Sequence, residues 1–405
     1  MGKQIRERLF AGRFFAQIFF QEGLISISYG VKIASKKRGI RRRRLGRAGV
    51  PLPCPKHTRR DGVPQRRPDR KEQKMIDHLA FHRYVADTQP NICQITVIQN
   101  GRTVIRDLWN GYRAEDTVHT MSVTKSVVSL LVGIAIDQGL IGGVNDYVLD
   151  YFPDYRIRRG EKTIQNVTLK NLLTMTAPYK YRSEPWTRVC TQEDWTLAAL
   201  DLLGGRRGLT GEFRYSTLGI HILTGILAAA SGMTTVDFAN RYLFAPLGIA
   251  PRELYVAPDA EAHKAFTIGK KPKGRIWFSD EKGVGAAGYG LCLSAGEMAK
   301  IGLLCLGKGV FDGRRIVPEK WLEESTKPRL CCGDSFQNMK YGYLWWILDE
   351  AAGSYAAIGN SGNVIYIAPE KALVAAVSGY FKPTVFDRID FIKRQIEEKL
   401  DDEEK

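Results

Sequence analysis

Strand-like patterns lie near both ends of the body of this chain and helix-like patterns lie between them, which restricts it to folds whose sheet is built from both ends. Residues 92–99 and 103–109 are rich in β-branched residues and flank Asn100-Gly101, so they predict a β-hairpin with a tight turn. Strand patterns return near the C-terminus, at residues 342–347, 355–358, 364–367 and 373–377. We expect the two groups of strands to pair in one sheet.

The middle of the chain carries apolar residues at helical spacing. Helices are predicted at residues 122–138, 168–175, 192–203, 217–231 and 235–243, with a last amphipathic helix at 385–400. The fold class that follows is α/β (α+β). An antiparallel sheet from about 90–110 and 340–380 is flanked by helices, with an inserted, mostly helical subdomain at about 122–290. A ligand is expected in the cleft between the sheet and the insertion.

The formal net charge of +17 is concentrated in the first 74 residues, which contain 21 Lys and Arg against 5 Asp and Glu. Such a basic, Pro-rich segment cannot bury enough apolar surface to fold by itself. It could be a nucleic-acid-binding or organelle-targeting arm, a disordered tail, or an extension upstream of Met75 that is not part of the natural product. We favour the last interpretation and expect one catalytic domain at 75–405, with 1–74 a disordered or non-native extension.

The cysteines predict neither a disulfide framework nor a metal site. Seven are present, an odd count, and none has the C-x-x-C spacing of a zinc or redox site. We expect reduced thiols in a cytoplasmic protein without metal or cofactor, although the adjacent pair Cys331-Cys332 leaves thiol reactivity open. No apolar run reaches the roughly 20 residues that span a bilayer. Because the body is close to neutral, a folded nucleic-acid-binding domain is not supported.

The segment from Thr120 to Ile136 places an S-x-x-K motif, Ser122 and Lys125, at the start of a nearly all-apolar helix. Three-residue spacing puts both side chains on one helix face, within hydrogen-bonding reach. The amide of Ser122 has no intrahelical partner and can donate to an oxyanion. Burial lowers the pKa of a lysine, as a proton acceptor requires. A short motif like this also arises by chance, as a capping serine and a snorkelling lysine.

Two further elements add context. Tyr215 lies in the turn before the apolar segment 217–231, where its hydroxyl can point into a cleft and a neighbouring lysine would favour the phenolate. The stretch Gly359-Asn360-Ser361-Gly362-Asn363 leads into an alternating strand, and glycines there suggest that the backbone closely approaches a ligand. Taken alone, the first is more often a packing tyrosine and the second a plain hairpin turn.

In this order the three elements resemble the β-lactamase-related family of serine hydrolases, which includes class C β-lactamases, D-alanyl-D-alanine carboxypeptidases, esterases and aminohexanoate-oligomer amide hydrolases. The resemblance runs from about residue 90 to 395, with softer signatures at 285–302 and 341–346. It implies a β-lactamase/transpeptidase-like fold. It also implies that Ser122 is acylated, that Lys125 activates it, and that Tyr215 is a base that later protonates the leaving group.

The same resemblance implies that the N–H groups of Ser122 and Asn363 bind the oxyanion. The remaining residues expected to line the substrate site are Asn360, Ser361, Gly362 and Thr217. His119, three residues before the serine, matches no catalytic position of the family and is given no role.

Two departures from the family pattern bear on the substrate. Thr217 stands where the family usually has Asn, so a hydroxyl replaces the amide that would hold lysine and substrate together. Asn360 stands where the third motif usually begins with Lys or His, which removes a cation that would recognise a carboxylate. A small-molecule ester or uncharged amide is therefore a more plausible substrate than a penicillin. The alternative is a catalytically weak or inactive protein that keeps a penicillin-binding-type pocket.

Overall fold

A computed structural model describes residues 77–401, so the basic segment 1–74 lies outside the described residues. Within 77–401 the strands are β1 (Ile92–Gln99), β2 (Arg102–Leu108), β3 (Val118–His119), β4 (Glu253–Tyr255), β5 (Ile276–Phe278), β6 (Cys292–Leu293), β7 (Val310–Phe311), β8 (Arg314–Arg315), β9 (Leu330–Cys331), β10 (Lys340–Tyr341), β11 (Trp346–Asp349), β12 (Ser354–Gly359), β13 (Asn363–Ala368) and β14 (Leu373–Gly379).

The main sheet has eight strands in the order β2-β1-β14-β13-β12-β11-β10-β9, and every pairing in it is antiparallel. The predicted sheet that joins both ends of the body is therefore confirmed. The hairpin between β1 and β2 turns at Asn100 and Gly101, whose φ angles of 50° and 72° fit the type I′ turn predicted for Asn-Gly.

The α-helices of the described part are α1 (His78–Thr88), α2 (Val123–Asp137), α3 (Leu169–Leu173), α4 (Trp186–Cys190), α5 (Trp195–Leu202), α6 (His221–Ser231), α7 (Thr235–Ala239), α8 (Ala260–Ile268), α9 (Ala295–Leu306), α10 (Glu319–Ser325), α11 (Ile389–Ile392) and α12 (Glu398–Asp401). Shorter 3₁₀ turns occur at Val148–Tyr151, Thr163–Asn166, Ala245–Leu247, Asp334–Phe336, Asn360–Gly362 and Pro369–Lys371, and π-helical turns at Asn240–Phe244 and Lys393–Glu397.

Each predicted helix is present, with shorter or broken ends. The strand predicted at 342–347 is displaced to Trp346–Asp349. Its first half instead forms a bend in which Leu344 has a φ of 64°, and the Leu344 amide donates to Leu173 of α3 at 3.0 Å. The β-prone composition of this segment correctly indicates that it is buried. Its backbone conformation, however, is determined by the hydrogen bond to the helical part of the fold.

Helix α2 connects the two parts of the fold. It packs against β12 on one side and α6 on the other, and its residues from Val123 to Ala135 are all buried. On the sheet, α9 covers β13 and β14. The N-terminal end of α2 consequently lies where the sheet, the helical insertion and the segment before β6 meet.

Across residues 77–401 no single helix is long and apolar enough to cross a membrane, although the bent pair His221–Ser231 and Thr235–Leu247, which meet at 79°, passes by length and composition.

Candidate active site

Ser122 lies on a strained turn that leads into α2. The preceding residue, Met121, has a φ of 53°, a left-handed conformation that is unfavourable for a side chain of this size. Thr120 anchors the turn, since its amide and hydroxyl both donate to the Leu291 carbonyl, at 3.0 and 2.7 Å. Ser122 is half-buried, and helix geometry begins at Val123. The side chain of Ser122 is thus held at the helix start with part of its surface accessible.

Lys125 is buried one turn further along α2, with 1% of its surface exposed. Its Nζ atom lies 2.9 Å from the Ser122 Oγ, 3.2 Å from the Thr217 Oγ1 and 2.8 Å from the Gly288 carbonyl oxygen. Burial lowers the pKa of Lys125 below its usual 10.5, while the negative charge of Glu184 opposes that shift. The predicted pairing of Ser122 with a lysine of lowered pKa is what the structure contains.

Tyr215 completes this group from the turn before α6. A hydrogen bond joins its hydroxyl to Ser122, and its ring lies beneath the Lys125 Nζ, 4.8 Å from the ring centroid. Trp346 stacks on the tyrosine ring with centroids 6.0 Å apart. Burial raises the pKa of Tyr215 above its usual 10, more than the bond to Ser122 lowers it. The lysine was expected to favour the phenolate, but burial dominates and favours the protonated phenol.

Glu184 is a buried carboxylate whose importance the sequence pattern did not show. Its Oε1 accepts hydrogen bonds from the Ser216 hydroxyl at 2.8 Å, the Thr217 amide at 2.6 Å and the Leu218 amide at 3.0 Å. Burial raises the pKa of Glu184, whereas these bonds and the charge of Lys125 lower it. Glu184 therefore fixes the turn that carries Tyr215 and Thr217. An isolated Glu in a polar, aromatic stretch gives no sequence signal for this contact.

Gly359, the last residue of β12, closely approaches the backbone at Ser122 from the sheet side. A Cβ atom on Gly359 would lie 2.3 Å from the Thr120 carbonyl oxygen and 3.1 Å from the amide nitrogens of Ser122 and Val123. A side chain there would collide with the backbone at the start of α2. The close approach at Gly359 is to the backbone of the turn before α2, while the expected approach to a ligand stays a prediction.

The other hairpin residues form hydrogen bonds within the sheet. Asn363 begins β13 opposite Gly359, and its side chain donates to the Asn360 carbonyl at 3.0 Å and accepts from the Gly379 amide at 2.9 Å. Asn363 is fully buried and lies one strand beyond Gly359. The role of the Asn363 amide as an oxyanion donor stays a prediction.

Asn360 and Ser361 form the buried tip of the hairpin. Ser361 has a φ of 71°, and its hydroxyl donates to the Asn360 Oδ1 at 3.1 Å and accepts from the Lys382 amide at 2.9 Å. Gly362 follows with a φ of 75°. The Ser361 hydroxyl and the Asn360 Oδ1 are thus engaged within the hairpin and its neighbours.

Arg388 stabilises this hairpin from behind. Its Nη1 donates to the Ser361 and Gly362 carbonyls at 2.8 and 2.9 Å, and its Nε donates to the Gln89 side chain at 3.2 Å. The guanidinium is 3% exposed, and burial lowers the pKa of Arg388 to about 10. A lone Arg ahead of a C-terminal helix gives no warning of this role in the sequence.

In the part of the chain that the structure describes, no group of three or more His, Cys, Asp or Glu side chains is arranged to hold a metal ion. The six cysteines of that part are free thiols, with Cys331 exposed and Cys332 buried.

Comparison with known proteins gives a consistent result. Residues 86–392 match the model of the Beta-lactamase family. A 6-aminohexanoate-dimer hydrolase of Paenarthrobacter ureafaciens is 25% identical over 293 residues, which are 67% of this chain and 69% of that protein. The matched region includes all the site residues described above.

Two solved structures share the fold at low sequence identity. An octameric penicillin-binding protein homologue from Pyrococcus abyssi superposes with a TM-score of 0.58 at 19% identity, covering 78% of this chain and 77% of its own. A family VIII carboxylesterase superposes with a TM-score of 0.54 at 16% identity, covering 76% and 91%.

Proposed function

The chain belongs to the Beta-lactamase family, and from that premise we propose that it is a serine hydrolase that forms an acyl-enzyme at Ser122. The observation that carries the proposal is the 2.9 Å contact between the Ser122 Oγ and the buried amine of Lys125. A nucleophilic serine needs a neutral base within hydrogen-bonding distance, and burial lowers the pKa of Lys125 toward that state.

Acylation begins with transfer of the Ser122 hydroxyl proton to the Lys125 Nζ. The serine oxygen adds to the carbonyl carbon of an ester or amide and gives a tetrahedral oxyanion. The Ser122 amide at the positive end of α2 is one donor to this oxyanion. Gly359 closely approaches that amide, so the end of β12 is a candidate source of a second donor, and the assignment of Asn363 stays a prediction.

Collapse of the oxyanion requires a proton for the leaving group. Tyr215 is bonded to Ser122, and its raised pKa makes it a phenol in the neutral range. We assign it the role of acid: the phenol gives its proton to the leaving oxygen or nitrogen, and protonated Lys125 restores that proton. Water then attacks the acyl-enzyme, Lys125 accepts a proton from it, and Ser122 recovers its hydroxyl.

The substrate class follows from the two departures. The Thr217 hydroxyl lies 3.2 Å from the Lys125 Nζ, so threonine keeps the contact to lysine that an amide would make. The Thr217 side chain has no N–H to offer a substrate amide. The Asn360 side chain supplies no cation for a carboxylate. Both features favour a neutral ester or amide over a penicillin. The 6-aminohexanoate-dimer hydrolase and the carboxylesterase among the similar proteins are consistent with amide or ester hydrolysis.

The test uses the full chain, its Ser122→Ala variant and the matched control Ser335→Ala, which alters an exposed serine. Each is incubated with a fluorophosphonate probe and with a p-nitrophenyl ester. Labelling is read by intact mass and turnover by absorbance. We expect one label per chain and ester turnover in the parent and the control, and neither in Ser122→Ala. No labelling of the folded parent would favour a binding protein without turnover.

The same proteins distinguish an esterase from a β-lactamase. A chromogenic cephalosporin is compared with the ester at equal enzyme concentration. Loss of one charge-assisted contact to the substrate carboxylate costs about 1.5–3 kcal/mol, so we expect the ester to have a kcat/KM at least about tenfold higher. Faster cephalosporin hydrolysis would overturn the substrate class but not the serine mechanism.

A further inference from the structure

The position of the Lys125 amine depends on three acceptors of different rigidity. The Ser122 and Thr217 hydroxyls can each rotate, and the Ser122 hydroxyl changes its protonation during the reaction. The third acceptor, the Gly288 carbonyl oxygen at 2.8 Å, belongs to the backbone. This carbonyl is therefore the least mobile of the three acceptors. The contacts that fix the segment around Gly288 also fix the position of the Lys125 amine.

Two buried histidines hold that segment from opposite sides. The Ala287 amide donates to the Nδ1 of His221 at 3.1 Å, and the Gly290 amide donates to the Nε2 of His119 at 2.9 Å. His221 begins α6 and His119 ends β3, so the two anchors come from separate elements. The carbonyl that binds lysine lies between the two anchored amides.

We propose that His221 and His119 are positioning residues of the proposed serine hydrolase: as neutral acceptors they fix the 287–290 backbone and thereby hold the Gly288 carbonyl against the Lys125 amine. Neither histidine would touch the substrate. The inference rests on the proposed function for its catalytic meaning, whereas the hydrogen bonds themselves can be tested without turnover.

An imidazole nitrogen accepts an N–H only when it carries no proton. Burial and, after it, the charges of Lys125 near His221 and Lys273 near His119 together lower the pKa of each histidine to about 3. His263 also faces both and acts in the same direction. Both side chains consequently remain acceptors throughout the neutral range.

The packing around Gly288 makes the arrangement tight. A Cβ atom on Gly288 would lie 2.3 Å from the Thr217 side chain, so the segment presses directly on the residue that supplies another lysine acceptor. The ring of Tyr289 lies between the two imidazoles, with centroids 6.0 Å from His221 and 5.9 Å from His119. Loss of one histidine hydrogen bond should therefore shift the Gly288 carbonyl, while the remaining side chains keep the core packed.

The first experiment measures the histidine tautomers in the wild-type protein. If the contacts are as described, His221 carries its proton on Nε2 and His119 carries its proton on Nδ1, so the two have opposite tautomers. Long-range ¹H–¹⁵N correlation spectra of the histidine-labelled full chain at pH 6–8 report which nitrogen is unprotonated, with signals assigned by single substitution. A protonated Nδ1 on His221, or a protonated Nε2 on His119, overturns the proposal whatever the activity.

The second experiment distinguishes the effect of the hydrogen-bond acceptor from the effect of the imidazole ring as a packing group. His221→Asn and His119→Gln keep an acceptor near the original nitrogen, whereas His221→Leu and His119→Met remove it. We expect the apolar variants to lose at least about tenfold in kcat on the p-nitrophenyl ester with little change in KM, equivalent to about 1.4 kcal/mol. The amide variants should recover most of that loss. Melting temperatures establish that each variant is folded.

Folded apolar variants with unchanged kcat would overturn the positioning role, and so would amide variants that lose as much kcat as the apolar ones. If the apolar variants do not fold, the tautomers and the activity of the amide variants still decide the matter. Failure of the proposed function gives a different pattern: Ser122→Ala then retains its turnover, while the tautomers remain as expected.

Discussion

The two sides of the candidate site are built in different ways. On the helical side, Ser122, Lys125, Tyr215 and Glu184 are titratable or nucleophilic side chains that bond to one another or to a shared turn. On the hairpin side, the approach to Ser122 is made by Gly359, which has no side chain, and the polar groups behind it bond within the sheet. The helical side therefore supplies proton transfer, while the hairpin side supplies shape.

The charges on the two sides are also compensated differently. Lys125 is buried near a carboxylate, so each partner shifts the pKa of the other toward its charged form. Arg388 is buried behind the hairpin against neutral acceptors, the Ser361 and Gly362 carbonyls and the Gln89 side chain. The lowered pKa of Lys125 lets it take up and release a proton, whereas the arrangement around Arg388 holds the backbone in place.

Removing the base should have the largest effect. We expect Lys125→Ala to lower kcat/KM on the p-nitrophenyl ester by about 10³, within the range for loss of a positioned general base. Burial of an ammonium is costly, so the variant should unfold at the same or a higher temperature. The exposed Lys170→Ala is the control, and equal rates in the two variants would remove Lys125 from the mechanism.

A substitution on the hairpin side should reduce activity nearly as much, but by a steric effect and not by a change of charge. In Gly359→Ala the new methyl would overlap the Thr120 carbonyl at 2.3 Å and crowd the Ser122 amide at 3.1 Å. Displacement of the nucleophile by a fraction of an ångström should reduce kcat by about 10². Gly143→Ala, where a Cβ meets nothing within 4 Å, is the control. Unchanged kcat in Gly359→Ala would show that the backbone at Ser122 accommodates the added methyl group without loss of activity.

The sequence also predicted the contacts of these two sides to different extents. Ser122 and Lys125 were predictable because both lie on one helix, where spacing alone determines which side chains meet. The contact of Lys125 with Gly288, and the contact of Glu184 with the turn at Ser216, join segments far apart in the chain, and no local pattern encodes them. The sequence pattern predicted six strands of the sheet but neither β9 nor β10, and it misplaced the strand near Leu344, where bonds to Leu173 and Ser126 override the pattern.

The hairpin residues illustrate a second limit. A Gly-rich stretch predicts close backbone approach, but the period of two along a strand leaves open which residue faces the cleft. The resemblance implied Asn363 as an oxyanion donor, which stays a prediction, whereas the close approach that the structure shows at Ser122 is that of Gly359. Arg388 gave no signal because its role depends on carbonyl groups that the hairpin exposes only after folding.

Arg388 tests whether the hairpin side is a scaffold. Arg388→Met removes the donor of the Gly362 carbonyl and of the buried Asn91 Oδ1, while the Ser361 carbonyl keeps its bond from the Asn91 Nδ2 at 3.0 Å; each buried group that loses its donor costs about 1–3 kcal/mol. We expect the free energy of unfolding in urea to fall by about 2 kcal/mol or more, since relief of the buried charge offsets part of the cost. Turnover at a temperature where the variant is folded should fall less than in Gly359→Ala. The exposed Arg394→Met should change neither.

Glu184 tests the electrostatics of the helical side through pH. Activity requires neutral Lys125, so kcat/KM falls as pH decreases through the lysine pKa, and Glu184 raises that pKa. In Glu184→Gln the carboxamide oxygen can still accept from Ser216, Thr217 and Leu218, but the charge is gone. The acid limb of the pH profile should therefore move to lower pH. A limb that stays in place, or moves to higher pH, would show that another group controls it.

Asn360 should give the smallest effect, and it decides whether the hairpin side recognises substrate at all. Its Oδ1 accepts one hydrogen bond, from the Ser361 hydroxyl at 3.1 Å, and the side chain is buried. Asn360→Ala should change kcat/KM less than about fivefold, because one neutral hydrogen bond is worth about 1 kcal/mol. The exposed Asn166→Ala is the control. A KM raised more than about tenfold with unchanged kcat would mean that the Asn360 amide binds substrate, as the resemblance implies. In that case the hairpin contributes recognition as well as shape.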